Sequence, residues 1–272
     1  MTERKDLILG VSVGYKIDVL RPFVLSLKDI GFSGETVFFV SDTNSETVDF
    51  LLSNGIVIKQ YETHRFMMVA PHLTRWIRFY EHLEHIRNIS RTADQYGQIL
   101  LVDTRDVFFQ GNPFPSETGK EISYYLEDSR WTLGSQRDNV DWFMQSFGQK
   151  TLSELADKPI SCGGTTIGTF DGVSEYLAQM CSLILKLPAE TRCVPGIDQP
   201  LHNFIVHKNL VSGAEIVENQ KHVATLGLLT EDELTLDESG KLVNADGSVS
   251  SIVHQYDRCE HLSEFVKNKY AL

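Results

Sequence analysis

Apolar positions along the first hundred residues follow two alternating rhythms. The run Leu7-Ile8-Leu9-Gly10-Val11-Ser12-Val13 is short, rich in branched side chains and closed by Gly14, which predicts a buried parallel strand. Over residues 18–30 the apolar positions are Val19, Leu20, Phe23, Leu27 and Ile30, the spacing of one helix face, and Gly31 can cap it. Residues 36–40 predict a second strand, 44–54 a second helix ended by Gly55, and 56–58 a third strand. A long helix opens at Pro71 with Leu73, Trp76, Ile77, Tyr80, Leu83 and Ile86 on one stripe, and residues 98–102 predict a fourth strand.

Strands alternating with helices specify a parallel sheet with helices on both faces, and ligands of such sheets lie at the carboxyl ends of the strands. That rule directs attention to residues 10–15, to Ser41-Asp42, and to the residues just after Val102. The second half is less regular. Strands are expected at 121–126, 159–169 and 249–256, helices at 173–187 and 197–207, and a terminal helix after the last strand. Residues 231–247 are polar, with turn pairs Ser239-Gly240 and Asp246-Gly247, and predict a hairpin or loop. No repeat or low-complexity linker divides the chain, so one α/β domain over residues 1–272 is expected, with a mostly parallel central sheet and mixed strands later.

Composition narrows the function classes. Apolar residues are 42% and charged residues 23% of the 272, a globular balance. Lys and Arg number 25 against 37 Asp and Glu, so the net charge is −12. Such a surface repels phosphate backbones and anionic lipid, which argues against nucleic-acid and membrane partners. No apolar run approaches the roughly 20 residues that span a bilayer, and the residues after Met1 do not form a signal-peptide core. Four cysteines without a Cys-x-x-Cys spacing fit reduced thiols and a cytoplasmic setting.

Chemistry concentrates in four stretches. The strand Ile99-Leu100-Leu101-Val102 delivers Asp103 and Asp106, a pair able to hold a hard divalent cation; the same pair would also suit a strand-end turn with Asp103 as a cap. Arg105 stands where an Asp-x-Asp phosphatase needs its second acid, and Gly10-Val11-Ser12-Val13-Gly14 lacks the dinucleotide glycine spacing. Gly163 and Gly164 allow close backbone approach of a ligand, or mark a bulged strand; Cys162 beside them would need a base from His202, His207 or His254 to act as a nucleophile. Asp198-Gln199 sits at a helix start, as cap or substrate contact. His254 lies on a late strand end and could complete a metal shell. On the long helix, Arg75 and Arg78 are one turn apart, able to reach a diphosphate or to pair with Glu81 and Glu84.

In order and interval these stretches resemble the nucleotide-sugar glycosyltransferases of the GT-A fold. Asp103 to Phe114 is similar to that family's Asp-x-Asp stretch and its Pro-Phe turn. Ser161-Cys162-Gly163-Gly164 resembles the strand beneath the donor sugar. Gly196-Ile197-Asp198-Gln199 resembles the Asp-Gln element of retaining members related to glycogenin and bacterial galactosyltransferases, and Val253-His254-Gln255-Tyr256 resembles their late metal-binding histidine. Aligning the Pro-Phe turns sets Asp106 on the family's final Asp and Thr104 on the first, so this chain reads Asp-x-x-Asp.

The resemblance implies a Rossmann-like GT-A domain whose residues 1–110 bind the nucleotide and whose residues 111–272 face sugar and acceptor. It implies a transferase moving a sugar from a nucleoside-diphosphate donor to a glycan or other hydroxyl acceptor, with retention. Asp106, Asp103 and His254 would hold Mn²⁺ or Mg²⁺. Val11, Val13, Tyr15, Asp42, Arg78, Thr104, Gly163, Gly164 and Arg258 would bind the donor, and Asp198 and Gln199 would be catalytic, Asp198 serving as base if transfer inverts. The alternatives are a non-catalytic nucleotide-sugar or glycan-binding protein on the same fold, and a metal-dependent phosphatase or other hydrolase.

Overall fold

The computed structural model describes residues 4–62, 70–116 and 119–271, so the first three residues, where the chain start was read, lie outside the described residues. Four parallel strands occupy one side of the main sheet: β1 (Lys5–Val13), β2 (Glu35–Ser41), β3 (Val57–Gln60) and β4 (Tyr96–Val102). Helices α1 (Ile17–Asp29), α2 (Ser45–Ser53) and α3 (Pro71–His85) alternate with them, as the hydrophobic pattern requires. The second half of the chain extends the sheet with β6 (Ile122–Leu126), β7 (Ser161–Thr169) and β8 (Ala214–Val217). The strand order is β3-β2-β1-β4-β7-β6-β8, in which β7 runs antiparallel to both its neighbours and β6 pairs β8 in parallel. One continuous sheet therefore draws on both halves, and it is mostly parallel.

Alternation along the strands covers both faces. Leu7, Leu9, Val37, Phe39, Ile99 and Leu101 point to one face, packed beneath α3, α5 (Phe170–Lys186) and α6 (Asp198–His207). Ile8, Phe38, Val40, Leu100 and Val102 point to the other, against Leu20, Phe23 and Leu27 of α1. Burial of large aliphatic and aromatic side chains on two faces supplies the dominant stabilisation, at about 1.5–3 kcal/mol for each fully buried side chain.

A smaller sheet crosses the carboxyl end of β4. Its central strand β12 (Ile252–His254) pairs antiparallel with β5 (Val107–Phe109) and parallel with β9 (Val223–Thr225). The expected hairpin at 231–247 is present as β10 (Thr235–Leu236) and β11 (Leu242–Val243), and the chain ends in α7 (Glu260–Lys269). Two expectations change in detail, and one helix was not expected. The last strand is only Ile252–His254, because Gln255 adopts a left-handed conformation (φ 61°) and turns the chain. The helix expected from 173 starts at Phe170, capped by Thr169, whose Oγ1 accepts from the Gly172 amide at 3.1 Å. The hydrophobic pattern also carried no sign of α4 (Arg137–Leu155), whose period breaks at Gly148 (φ 75°). Among the described residues no helix is long and apolar enough to cross a membrane.

Candidate functional site

Strand register assembles the acidic group. Pairing of β5 with β12 sets His254 opposite Val107, next to Asp106, whose carbonyl accepts from the Gln255 amide at 2.8 Å. Pairing of β4 with β7 sets Val102 opposite Thr165, and the Asp103 amide donates to the Gly164 carbonyl at 2.9 Å. The turn between β4 and β5 and the distant strand β12 thus deliver Asp103, Asp106 and His254 to one point. His254 Nε2 lies 3.3 Å from Asp103 Oδ2 and 3.7 Å from Asp106 Oδ1. One donor atom from each of the three falls within 4.8 Å of the others.

This donor set fits a divalent cation. Two carboxylates and one imidazole can supply three ligands to such an ion. His254 is 1% exposed, and its Nε2, facing both carboxylates, has no hydrogen-bond partner among the described residues. Its other ring nitrogen, Nδ1, lies 3.4 Å from Cys162 Sγ, which orients the ring. Burial pulls the His254 pKa down, but the neighbouring Cys162, Asp106 and Glu127 outweigh it and leave the value raised. Gly164 keeps the space open: a Cβ there would stand 2.6 Å from Asp103 Oδ2 and 2.8 Å from His254 Nε2.

Two adjoining recesses of about 400 and 260 Å³ meet at this group and share Arg75, Asp103, Asp198, Gln255 and Arg258 in their walls. The larger is lined by Val11, Val13, Tyr15, Thr104 and Asp106, so the expected donor residues from the first strand and the acidic turn are brought together. Val11 and Val13 belong to β1 itself and not to the loop after it. Thr104 uses its hydroxyl to hold the turn, donating to the Val11 carbonyl at 2.6 Å, and its methyl occupies the space that a side chain at Gly10 would need. The smaller recess is lined by Gly164, Gln199, His254 and also by Glu127 and Cys162. Gln199 is fixed from both ends. Its Oε1 accepts from the Gly163 amide at 3.0 Å, and its Nε2 donates to Glu127 at 3.0 Å and to the Ser161 carbonyl at 2.9 Å.

Asp198 is the first residue of α6, one position past the N-cap Ile197. Its Oδ2 accepts from Arg75 Nη2 at 2.7 Å and Trp76 Nε1 at 3.2 Å. Burial would raise this carboxyl, yet the charges of Arg75 and His72 and the two hydrogen bonds hold it below the usual carboxylate value. Glu127 has the opposite setting. It is buried, and burial raises it to about 7 despite the opposing effects of His254, Gln199 and Cys162.

Three expected donor residues line neither recess: Asp42, Arg78 and Gly163, whose amide is taken by Gln199. Asp42 lines a separate groove with Tyr61, at the ends of β2 and β3. Arg78 pairs with Glu81 at 2.7 Å and stacks its guanidinium 5.1 Å from the Tyr61 ring centre. It is Arg75, one turn earlier, that enters the site, bonded to Asp103 through Nη1 and to Asp198 through Nη2. The helical spacing named both arginines; their choice depends on the rotation of α3 against the sheet. Glu127 carried no sequence signal, standing beside Asp128 in a polar stretch after a strand. Of the histidines weighed as partners for Cys162, only His254 reaches it: His202 bonds Ser161 and Tyr176, and His207 bonds the Pro159 carbonyl.

No protein-family model matches the chain, and no curated protein matches it in sequence. Among solved structures, it is similar to the galactosyltransferase LgtC in complex with donor and acceptor sugar analogs. The TM-score is 0.57 at 11% sequence identity, over 98% of this chain and 96% of that one. At that identity the likeness shows the fold, the GT-A arrangement of a mixed α/β domain about a large, mostly parallel sheet.

Proposed function

We propose that this protein is a metal-assisted glycosyltransferase that moves a sugar from a nucleoside-diphosphate donor to a glycan or other hydroxyl acceptor. The observation that carries the reading is the Asp103–Asp106–His254 group at the junction of two recesses, in a GT-A fold like that of a galactosyltransferase crystallised with donor and acceptor sugar analogs. A divalent cation bound there would neutralise the charge that develops on a departing diphosphate.

The chain's own residues supply the rest. Val11, Val13 and Tyr15 give the larger recess an apolar wall for a nucleoside. Arg258 lines both recesses, placed to meet a diphosphate, whereas Arg75 is committed to Asp103 and Asp198. Gly164 lets a sugar approach the β7 backbone, and Gln199 and Glu127 offer hydrogen bonds to its hydroxyls. The bond from the sugar's anomeric carbon to the phosphate oxygen breaks, and its electron pair stays with the diphosphate. The acceptor oxygen bonds to that carbon, and its proton passes to the departing phosphate oxygen on the same face. Retention is inferred from the resemblance of Gly196–Gln199 to retaining enzymes, and the NMR anomeric configuration of the product tests it. With Asp198 held ionised by Arg75, its role in this scheme is to position Arg75.

Melting of the protein with nucleoside diphosphates, with and without Mn²⁺, tests the donor site. Stabilisation that needs both ligands supports it; a melting point unmoved by every nucleotide contradicts it.

A further inference from the structure

We propose that the first turns of α4 form the acceptor subsite and that they take a neutral pyranose ring; this rests on the glycosyl-transfer reading above. Gln136, Asp138, Asn139 and Trp142 line the smaller recess and have no part in the larger one. The order along the cleft is then nucleoside at β1, diphosphate at Asp106 and His254, donor sugar at Gly164 and Gln199, and acceptor at α4.

The helix start presents an unmet hydrogen-bond acceptor. Gln136 Oε1 accepts from the Asn139 amide at 2.8 Å and from Asn139 Nδ2 at 2.9 Å, which caps the helix and fixes the Asn139 side chain. Asn139 Oδ1 is the atom left over. Asn139 is 3% exposed, and Oδ1 has no partner among the described residues although the residue lines the recess. A buried carbonyl without a donor costs about 1–3 kcal/mol, and a sugar hydroxyl would remove that penalty. Asp138, exposed at the rim, offers a second acceptor for hydroxyl groups.

Trp142 completes the wall. Its six-membered ring lies on the backbone of Gly196 (φ 79°), where a Cβ would stand 2.7 Å from Trp142 Cε2. The indole is thereby seated on the turn that carries Asp198 and Gln199, and it remains half-buried within the recess. An aromatic face beside an amide and a carboxylate matches a ring with apolar C–H faces and equatorial hydroxyls. The Asp138 carboxylate in the same recess disfavours an anionic acceptor.

Saturation-transfer NMR with the methyl glycosides of glucose, galactose, mannose and N-acetylglucosamine tests the subsite. At least one glycoside should receive saturation on its ring protons, with affinity falling about tenfold in Asn139→Leu and in Trp142→Ala. Trp142→Phe, which keeps an aromatic face, should retain binding and serves as the reference if Trp142→Ala does not fold. Absence of glycoside binding in the wild type, or wild-type binding in Asn139→Leu, overturns the proposal. In turnover, Asn139→Leu should raise the KM for the glycoside while hydrolysis of the donor by water stays within about twofold of wild type. A parallel fall in donor hydrolysis would assign α4 to the donor sugar and overturn the acceptor assignment. Glycoside binding that the variants weaken, in a protein that cleaves no donor, would uphold a sugar site and overturn the transferase reading alone.

Discussion

Arg75 Nη2 lies 2.7 Å from Asp198 Oδ2, and the same guanidinium bonds Asp103 through Nη1. One side chain on α3 therefore ties the acidic turn after β4 to the start of α6. The Arg75 side chain is 14% exposed and stacks 4.4 Å from the centre of the Trp76 ring, so the bridge is well shielded from water. Removing it leaves the buried Asp198 carboxylate without its guanidinium partner. Arg75→Ala is expected to cost about 3–5 kcal/mol of stability, read as a lowered melting point. Arg75→Lys should recover only part of this, because an ammonium lacks the planar fork that serves two carboxylates at once. Full stability in Arg75→Ala would show that the bridge is incidental.

Gly164 is set by space, not by backbone freedom. A methyl group there meets Asp103 Oδ2 and His254 Nε2 within 2.8 Å, whereas at Gly163 the nearest atom is Gln199 Oε1 at 3.3 Å. Gly164→Ala should weaken Mn²⁺ binding by about tenfold or more, a cost of roughly 1.4 kcal/mol, and Gly163→Ala should affect it less. Isothermal titration with Mn²⁺ compares the two. Equal affinities in wild type and Gly164→Ala would separate Asp103 and His254 from the metal.

Glu127 predicts a pH dependence of stability. Its carboxyl titrates near 7 in the folded protein against 4.5 when unfolded, because burial disfavours the charge. Below pH 4.5 both states hold the proton. Between 4.5 and 7 only the folded state holds it, so stability falls as pH rises, then levels off above 7. Glu127→Gln keeps the neutral form and the acceptor for Gln199. Measured with chelator present, it should match wild type near pH 4.5 and exceed it by on the order of 2–3 kcal/mol at about pH 8. A constant difference across that range would mean that Glu127 is ionised throughout.

Cys162 Sγ lies 3.4 Å from His254 Nδ1, a contact that would also suit a thiol nucleophile. In the transferase reading it orients the imidazole. Cys162→Ser should then keep donor cleavage within about tenfold of wild type, since a hydroxyl can hold the ring in place. Loss of all turnover, with Mn²⁺ affinity intact, would make the thiol the reacting group.

The parallel half of the fold was legible because β1, β2 and β4 carry buried apolar runs between amphipathic helices. The smaller sheet was not, since β5 and β9 are three residues each and form only through pairing with β12. Edge strand β8 is half-exposed and shows no apolar run. The site divides in the same way. Asp103, Asp106 and His254 stood out as strand-end residues, and the structure brings them together through register. Arg75, Glu127 and the α4 residues depend on tertiary placement. Helix α3 carries two arginines at equivalent spacing, and only its packing angle tells which one faces Asp198.

Release of nucleoside diphosphate from a panel of nucleotide sugars, in wild type and Asp106→Asn, tests the central claim most directly. Asp106 is buried beside His254, and its amide replacement preserves shape while removing the charge. The account predicts Mn²⁺-dependent release in wild type, abolished by chelator, and a loss of about a hundredfold or more in Asp106→Asn with the melting point retained. Undiminished release in Asp106→Asn, or release indifferent to chelator, would contradict it.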